Sequence, residues 1–269
     1  MREIIVIAIA LAMLIPFYFL IVMAFKPDSE VITTSAYAPA QAPTAGAFAE
    51  AWGAEGNKSL AMGMLNSIII TGGSVVMLVA IGSITAYSIS RMPGRPGKLL
   101  RVLVLIAMIL PFQLGMVPVY VAMRNLHLLG TYPGMIILYT GLFMPLAVFL
   151  YSGFAESIPR DYEEAANIDG ASKFQSFVRV VFPLLGPATG TVAIMCGLII
   201  WNDFFSPLIF LSGSNIPTLP VVVYSTVGEL ASRWNVIFAA VIISMIPILV
   251  YYLVAQKKFI QGFSGGLKS

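Results

Sequence analysis

Long apolar runs alternate with short polar stretches along the whole chain. The apolar runs cover about 4–25, 63–89, 102–123, 134–155, 184–203 and 236–255. Each is near or above the ~20 residues a helix needs to cross ~30 Å of hydrocarbon. Runs such as LVLIAMIL at 103–110 do not alternate, so they lack the period of barrel strands. Helices satisfy their own backbone groups and can cross a membrane without water. The pattern predicts an all-α integral membrane protein: one domain over 1–269, six transmembrane helices, and a cytoplasmic loop over 156–182.

One apolar region is interrupted. FFSPLIFL (204–211) and VVVY (221–224) are broken by Pro207, Gly213, Pro217 and Pro220. This reads as an external loop, with a partly re-entrant form as the variant, and not as a seventh span.

Composition supports the membrane reading. Of 269 residues, 59% are hydrophobic and 10% charged, against roughly 25% charged in a soluble domain. With six spans, 11 of the 15 basic residues fall on one side: Arg2; Arg91, Arg95, Lys98 and Arg101; Arg160, Lys173 and Arg179; Lys257, Lys258 and Lys268. The positive-inside rule makes that side cytoplasmic, along with both termini. The net charge of +3 is explained by topology and calls for no nucleic acid. The bases of SRMPGRPGK (90–98) fix topology and touch anionic lipid headgroups. The first apolar run exceeds a signal-peptide core of 7–15 residues, so it reads as a retained anchor.

Chemistry-bearing residues are few. Cys196 is the single cysteine, in mid-span, and reads as a small buried hydrophobe. His127 is the single histidine, in a short external loop, and forms no metal cluster. No phosphate-loop motif occurs, so ATP is not bound by that device. Spans two to four carry no acid or base in their cores, which argues against an ion-coupled carrier. Pro111 predicts a kink in the third span, with Gln113 as the polar residue at the break. Gln113 either bonds a neighbouring helix or faces a water-filled path. Asn202, before Asp203 at the end of the fifth span, poses the same question. Gln113, Tyr139 and Asn202 are the candidate pathway residues. Phe48 and Trp52 fit the membrane interface.

The loop after the fourth span is the most informative segment. On a helical wheel, Asp161, Tyr162, Ala165, Ala166, Ile168 and Asp169 share one side, and Arg160, Glu163, Glu164 and Asn167 the other. Gly170 suits a helix end. Phe174, Phe177, Val178 and Val181 then follow helical spacing. The prediction is a short helix, a glycine corner and a second helix across the membrane surface.

Glu164-Ala165-Ala166, three residues, Gly170, nine residues, then Val180-Val181-Phe182-Pro183 resembles the cytoplasmic EAA loop of ABC importer permeases. The family ends the motif I-x-L-P, so Val180 and Phe182 depart conservatively. Asp169-Gly170-Ala171 and Phe177 resemble the carbohydrate-uptake, maltose-type branch. So do Asn66-Ser67, Ala86-Tyr87 with Arg91, Trp201-Asn202-Asp203, and the C-terminal Gln256-Lys257-Lys258-Phe259 with Gly262 and Gly265-Gly266-Leu267-Lys268.

The resemblance implies a type I importer permease in a bacterial or archaeal cytoplasmic membrane. Its implied partners are a second homologous permease in a heterodimer, two copies of a cytoplasmic ATPase, an extracytoplasmic sugar-binding protein, and lipid. The chain itself would be non-catalytic and bind no cofactor, with ATP and Mg on the ATPase. Glu163, Glu164, Ala165, Ala166, Asp169, Gly170 and Ala171 would couple to that ATPase. The tail 262–269 would lie near it, and Ser214, Asn215 and Ile216 would face the binding protein. An ion-coupled secondary carrier, and a membrane-embedded enzyme or assembly subunit, are the competing readings.

Overall fold

A computed structural model describes residues 2–53, 59–229 and 233–266. Lys58 and residues 267–269 of the tail, including Lys268, lie outside the described residues. In chain order the helices are α1 (Arg2–Ala24), α2 (Asp28–Thr33), α3 (Gly46–Gly53), α4 (Leu60–Arg91), α5 (Gly94–Ile109), α6 (Phe112–Asn125) and α7 (Tyr132–Ser157). They continue as α8 (Asp161–Ile168), α9 (Lys173–Ser176), a π-helical stretch (Phe177–Val181), α10 (Phe182–Leu184), α11 (Gly186–Asn202), α12 (Phe205–Phe210), α13 (Leu219–Glu229) and α14 (Trp234–Gly266). Among the described residues, α1, α4, α7 and α14 are long and apolar enough to cross a membrane, and the number rises to six where each of two bent pairs is one span.

The bends sit at prolines. α5 and α6 meet at 95°. Pro111 offers no N–H, and the residue before a proline is steered to extended backbone; Leu110 has φ −67° and ψ 123°. The expected kink of the third span is therefore a full corner. A second pair, Lys173–Leu184 and Gly186–Asn202, bends by 73°, where Leu185 leaves the helical region just before Gly186-Pro187.

The region 204–228 departs from expectation. In place of a loop it holds two short helices, α12 and α13, with a turn between them. Pro207 lies in the first turn of α12 and Pro220 in that of α13, where a missing N–H costs nothing. These prolines begin helices as well as breaking the apolar run. Neither helix is long enough for a seventh span.

Contacts divide the chain into two units: 1–67 with 215–249, and 68–214 with 250–269. In the first, the segments that follow α1 are tied to the start of α14. Arg233 binds Glu50 through both terminal nitrogens, Nη2 reaching Oε2 at 2.6 Å, and Asp28 Oδ2 at 2.8 Å. Asn235 Nδ2 donates to Asp28 Oδ1 at 2.7 Å and to the Lys26 carbonyl at 3.0 Å. The fully buried Lys26 donates from Nζ to Thr34 Oγ1 and the Ser35 carbonyl, each at 2.8 Å. Phe48 packs on Phe25, ring centres 5.0 Å apart, while Trp52 is exposed.

The second unit is built around α7. Tyr139, Ala147, Val148, Tyr151 and Ala155 are buried along it. Gly73 and Gly82 of α4 bring the backbones close: a Cβ at Gly73 would stand 2.6 Å from Ile136, and one at Gly82 3.2 Å from Ala147. Small residues at such crossings are the usual means of close helix approach in membranes. Tyr151 Oη donates to Thr189 Oγ1 of α11 at 3.0 Å. His127 ends α6 in the left-handed region, φ 55°, and its N–H bonds the Arg124 carbonyl while that of Leu128 bonds Met123. The histidine closes a helix-ending turn of the Schellman kind.

Candidate functional site

The segment 160–184 forms the helix, corner and helix expected from its spacing. Pro159 prevents α7 from continuing, and Ile158 is extended at φ −78° and ψ 118°. α8 then starts with Asp161, Glu163 and Glu164 in its first turn, where acids meet the positive end of the helix dipole. It ends in a Schellman turn. The Gly170 N–H bonds the Asn167 carbonyl at 3.1 Å and the Ala171 N–H bonds that of Ala166 at 3.0 Å. Gly170 itself sits at φ +83°, a conformation that costs a residue with a β-carbon dearly. Ser172 opens α9 with a reciprocal cap: its Oγ accepts from Gln175 N–H at 3.3 Å, and Gln175 Oε1 accepts from Ser172 N–H at 2.8 Å. The chain then passes through a π-helical turn, a rare form that is frequent at functional sites.

The two faces of α8 are distinct. Arg160, Glu163, Glu164 and Asn167 line a cavity of about 510 Å³ that α4 and the second helix also line, through Arg91 and Ser176 among others. Asp161, Tyr162, Ala165, Ile168 and Asp169 are exposed on the opposite face, Ile168 to 86%. Phe174, at 68%, adds a second exposed apolar side chain beyond the corner. Ala166 departs from the wheel: it is half-buried, not exposed beside Ala165.

Glu163 is held from behind. Arg91 Nε donates to its Oε1 at 2.7 Å, Arg91 Nη2 approaches the same oxygen at 2.6 Å, and Tyr87 Oη donates to its Oε2 at 2.7 Å. The Arg91 and Glu163 side chains keep only 16% and 13% of their exposure. Arg91 also donates to the carbonyls of Ala155 at 3.1 Å and Ile158 at 2.9 Å, which the end of α7 leaves without helical donors. Tyr87 stacks near Phe177, ring centres 5.1 Å apart, and its ring lies 5.7 Å from the Arg91 guanidinium carbon.

Arg91 therefore does more than set topology, and Arg101 likewise pairs with Glu156. The sequence signal for both was present but shared with every other base of that loop: a cation at a span end, with no mark of its partner.

The pathway candidates are scattered. Gln113 is exposed one residue inside α6. Asn202 is exposed and turns back to donate to the Leu198 carbonyl at 2.8 Å. Tyr139 is wholly buried, and its Oη donates to Asp203 Oδ2 at 3.0 Å. Asp203 Oδ1 in turn accepts from the N–H groups of Phe205 and Ser206, at 3.0 and 3.4 Å, and so caps α12.

Of the external candidates, Ser214 Oγ donates to the Leu211 carbonyl at 2.7 Å, Asn215 is exposed and Ile216 half-buried. The next residues are tied to the start of α4. Asn66 Nδ2 donates to the Pro217 carbonyl at 2.8 Å, and Leu219 N–H donates to Ser67 Oγ at 2.9 Å.

An all-helical membrane protein with proline-broken spans and a surface helix between two of them has the build of a transport permease. Residues 78–264 match the profile of the binding-protein-dependent transport system inner membrane component family, and the chain belongs to it. It is 37% identical to the melibiose/raffinose/stachyose import permease protein MelC of Bacillus subtilis, over 96% of this chain and 92% of that one. It is also 37% identical to the multiple sugar-binding transport system permease protein MsmG of Streptococcus mutans, over 75% and 74%. Its fold matches a chain in the crystal structure of a bacterial ABC transporter involved in the import of the polysaccharide alginate. The TM-score is 0.83 at 24% identity, over 96% of this chain and 95% of that one. None of these findings favours an ion-coupled secondary carrier.

Proposed function

We propose that this chain is one of two different permease subunits of an ATP-driven oligosaccharide importer in a bacterial cytoplasmic membrane, with both termini cytoplasmic. Two copies of a separate ATPase hold the nucleotide and Mg. An extracytoplasmic binding protein delivers the sugar to the side bearing Ser214, Asn215 and Ile216. The observation that carries the coupling assignment is the two-faced α8: one face faces inward to α4, and the other leaves Ala165, Ile168 and Asp169 exposed among the described residues.

That exposed face, with Glu164, Ala166, Gly170 and Ala171, enters a cleft of the ATPase, and Glu163 joins the loop to the spans. Closure of the ATPase dimer moves the docked loops together, and the paired bundles rock between inward- and outward-facing forms. The chain supplies shape and leverage to this cycle. Gln113, Tyr139 and Asn202 belong to the pathway or its walls.

The test is uptake by the reconstituted four-component complex against a panel of oligosaccharides and polyols. Wild type takes up an oligosaccharide with ATP. Gly170→Pro and Glu164→Lys lose uptake while remaining in the membrane. Normal uptake and normal ATPase stimulation in both variants contradict the assignment.

A further inference from the structure

Glu163 and Glu164 are adjacent acids in one loop, yet their surroundings differ. Glu164 is exposed. Glu163 is largely enclosed, and both of its oxygens are taken by α4, one by Arg91 and the other by Tyr87. Its remaining capacity to meet a partner protein is small.

Arg91 is the last residue of α4, and its side chain grips three places at once: the α8 carboxylate and the carbonyls of Ala155 and Ile158 at the end of α7. A guanidinium suits this because its donors form a rigid fork. Tyr87 extends the contact to the second helix of the loop through Phe177. The exposed salt bridges of this chain can exchange with water. This one is enclosed, and charge-assisted bonds in such surroundings hold most firmly.

We propose that Glu163 and Arg91 form the fastening by which α8 and the second and fourth spans move as one body, so that Glu163 is a positioning residue on the inward side of the loop and not part of the surface that meets the ATPase. The proposal rests on the importer reading above. It gives the paired acids separate tasks: Glu164 lies at the exposed rim, and Glu163 transmits displacement of the loop to α4 and α7. Without the fastening, α8 still docks but slides against α4, and ATP hydrolysis loses its grip on transport.

The experiment uses the assembled complex in proteoliposomes. It reads three quantities: ATPase retained on purification through this chain, ATP hydrolysed with loaded binding protein, and sugar taken up per ATP. Glu163→Gln retains the ATPase, while uptake per ATP falls about tenfold, as expected for loss of an enclosed charge-assisted contact. Glu163→Gln combined with Arg91→Gln is no worse than the poorer single variant, because both remove one interaction. Tyr87→Phe keeps the ion pair and gives a smaller loss in the same direction, which preserves the test if Glu163→Gln does not assemble. Loss of the ATPase from an otherwise intact Glu163→Gln or Tyr87→Phe complex overturns the proposal, since Glu163 would then serve docking. Unchanged uptake per ATP in both variants overturns it as well. Ile168→Arg, on the exposed face, separates the two ideas: if it leaves ATPase retention intact, the docking reading fails, whatever Glu163 does.

Discussion

Two small hydrogen-bond sets near the expected outer surface show what single residues do here. Asn66 and Ser67 are buried and give their side chains to the backbone of Pro217 and Leu219. Ser67→Ala leaves a buried N–H unsatisfied, which costs ~1–3 kcal/mol. Asn66→Ala and Ser67→Ala are therefore expected to lower the thermal midpoint of the solubilised protein, and the double variant to lower it further. Asp28 gives a pH dependence. The hydrogen bond from Asn235, aided by Arg233 and opposed by desolvation, holds its carboxyl below the ordinary value. A lowered value in the folded state means that the stabilisation is complete above the ordinary carboxylate range, ~pH 4, and is lost as pH falls through the folded value. The site is exposed, so the effect stays under ~1 kcal/mol. Melting curves from pH 6 down to 3 should fall less steeply for Asp28→Asn than for wild type. The sequence displayed each of these residues without showing its partner, because the partners stand up to about 200 positions away.

At the scale of elements, the spans and the helix–corner–helix were legible because hydrophobic length and 3.6-residue spacing act locally. The glycine corner was legible because few residues accept its backbone angle. What escaped was set by geometry that composition does not encode. Pro111 announced a break but not its 95° size. Pro207 and Pro220 looked like interruptions, yet each falls in the first helical turn, where proline fits. The π-helical turn at Phe177–Val181 left no sequence sign that could be told from an ordinary amphipathic helix. The α5–α6 corner carries a prediction. Pro111→Leu restores a backbone donor and favours a continuous helix. Spin labels at positions 103 and 121 would then separate toward ~27 Å, at 1.5 Å per residue. The bent wild type gives a shorter distance by pulsed electron resonance, and an unchanged distance in the variant would assign the corner to packing and not to the proline.

For the molecule as a whole, the proposed function requires that work done by a separate ATPase reach the spans through α8 and its corner. The ordered set of motif residues made that legible in the sequence as a resemblance. The wheel anticipated the two faces but could not say which acid turned inward, since Glu163 and Glu164 lie on the same half of it. The most direct measurement exploits the single native thiol: Cys196 is buried. Ala165→Cys adds one exposed thiol on the outward face of α8. Its rate of reaction with a membrane-impermeant maleimide is measured in inverted vesicles of the assembled complex, and again after the ATPase has been stripped. The account predicts slow labelling in the complex and at least about tenfold faster labelling once the ATPase is gone, as a docked contact that excludes water requires. Equal, rapid labelling in both would mean that the loop stands free in the working transporter and would contradict the account.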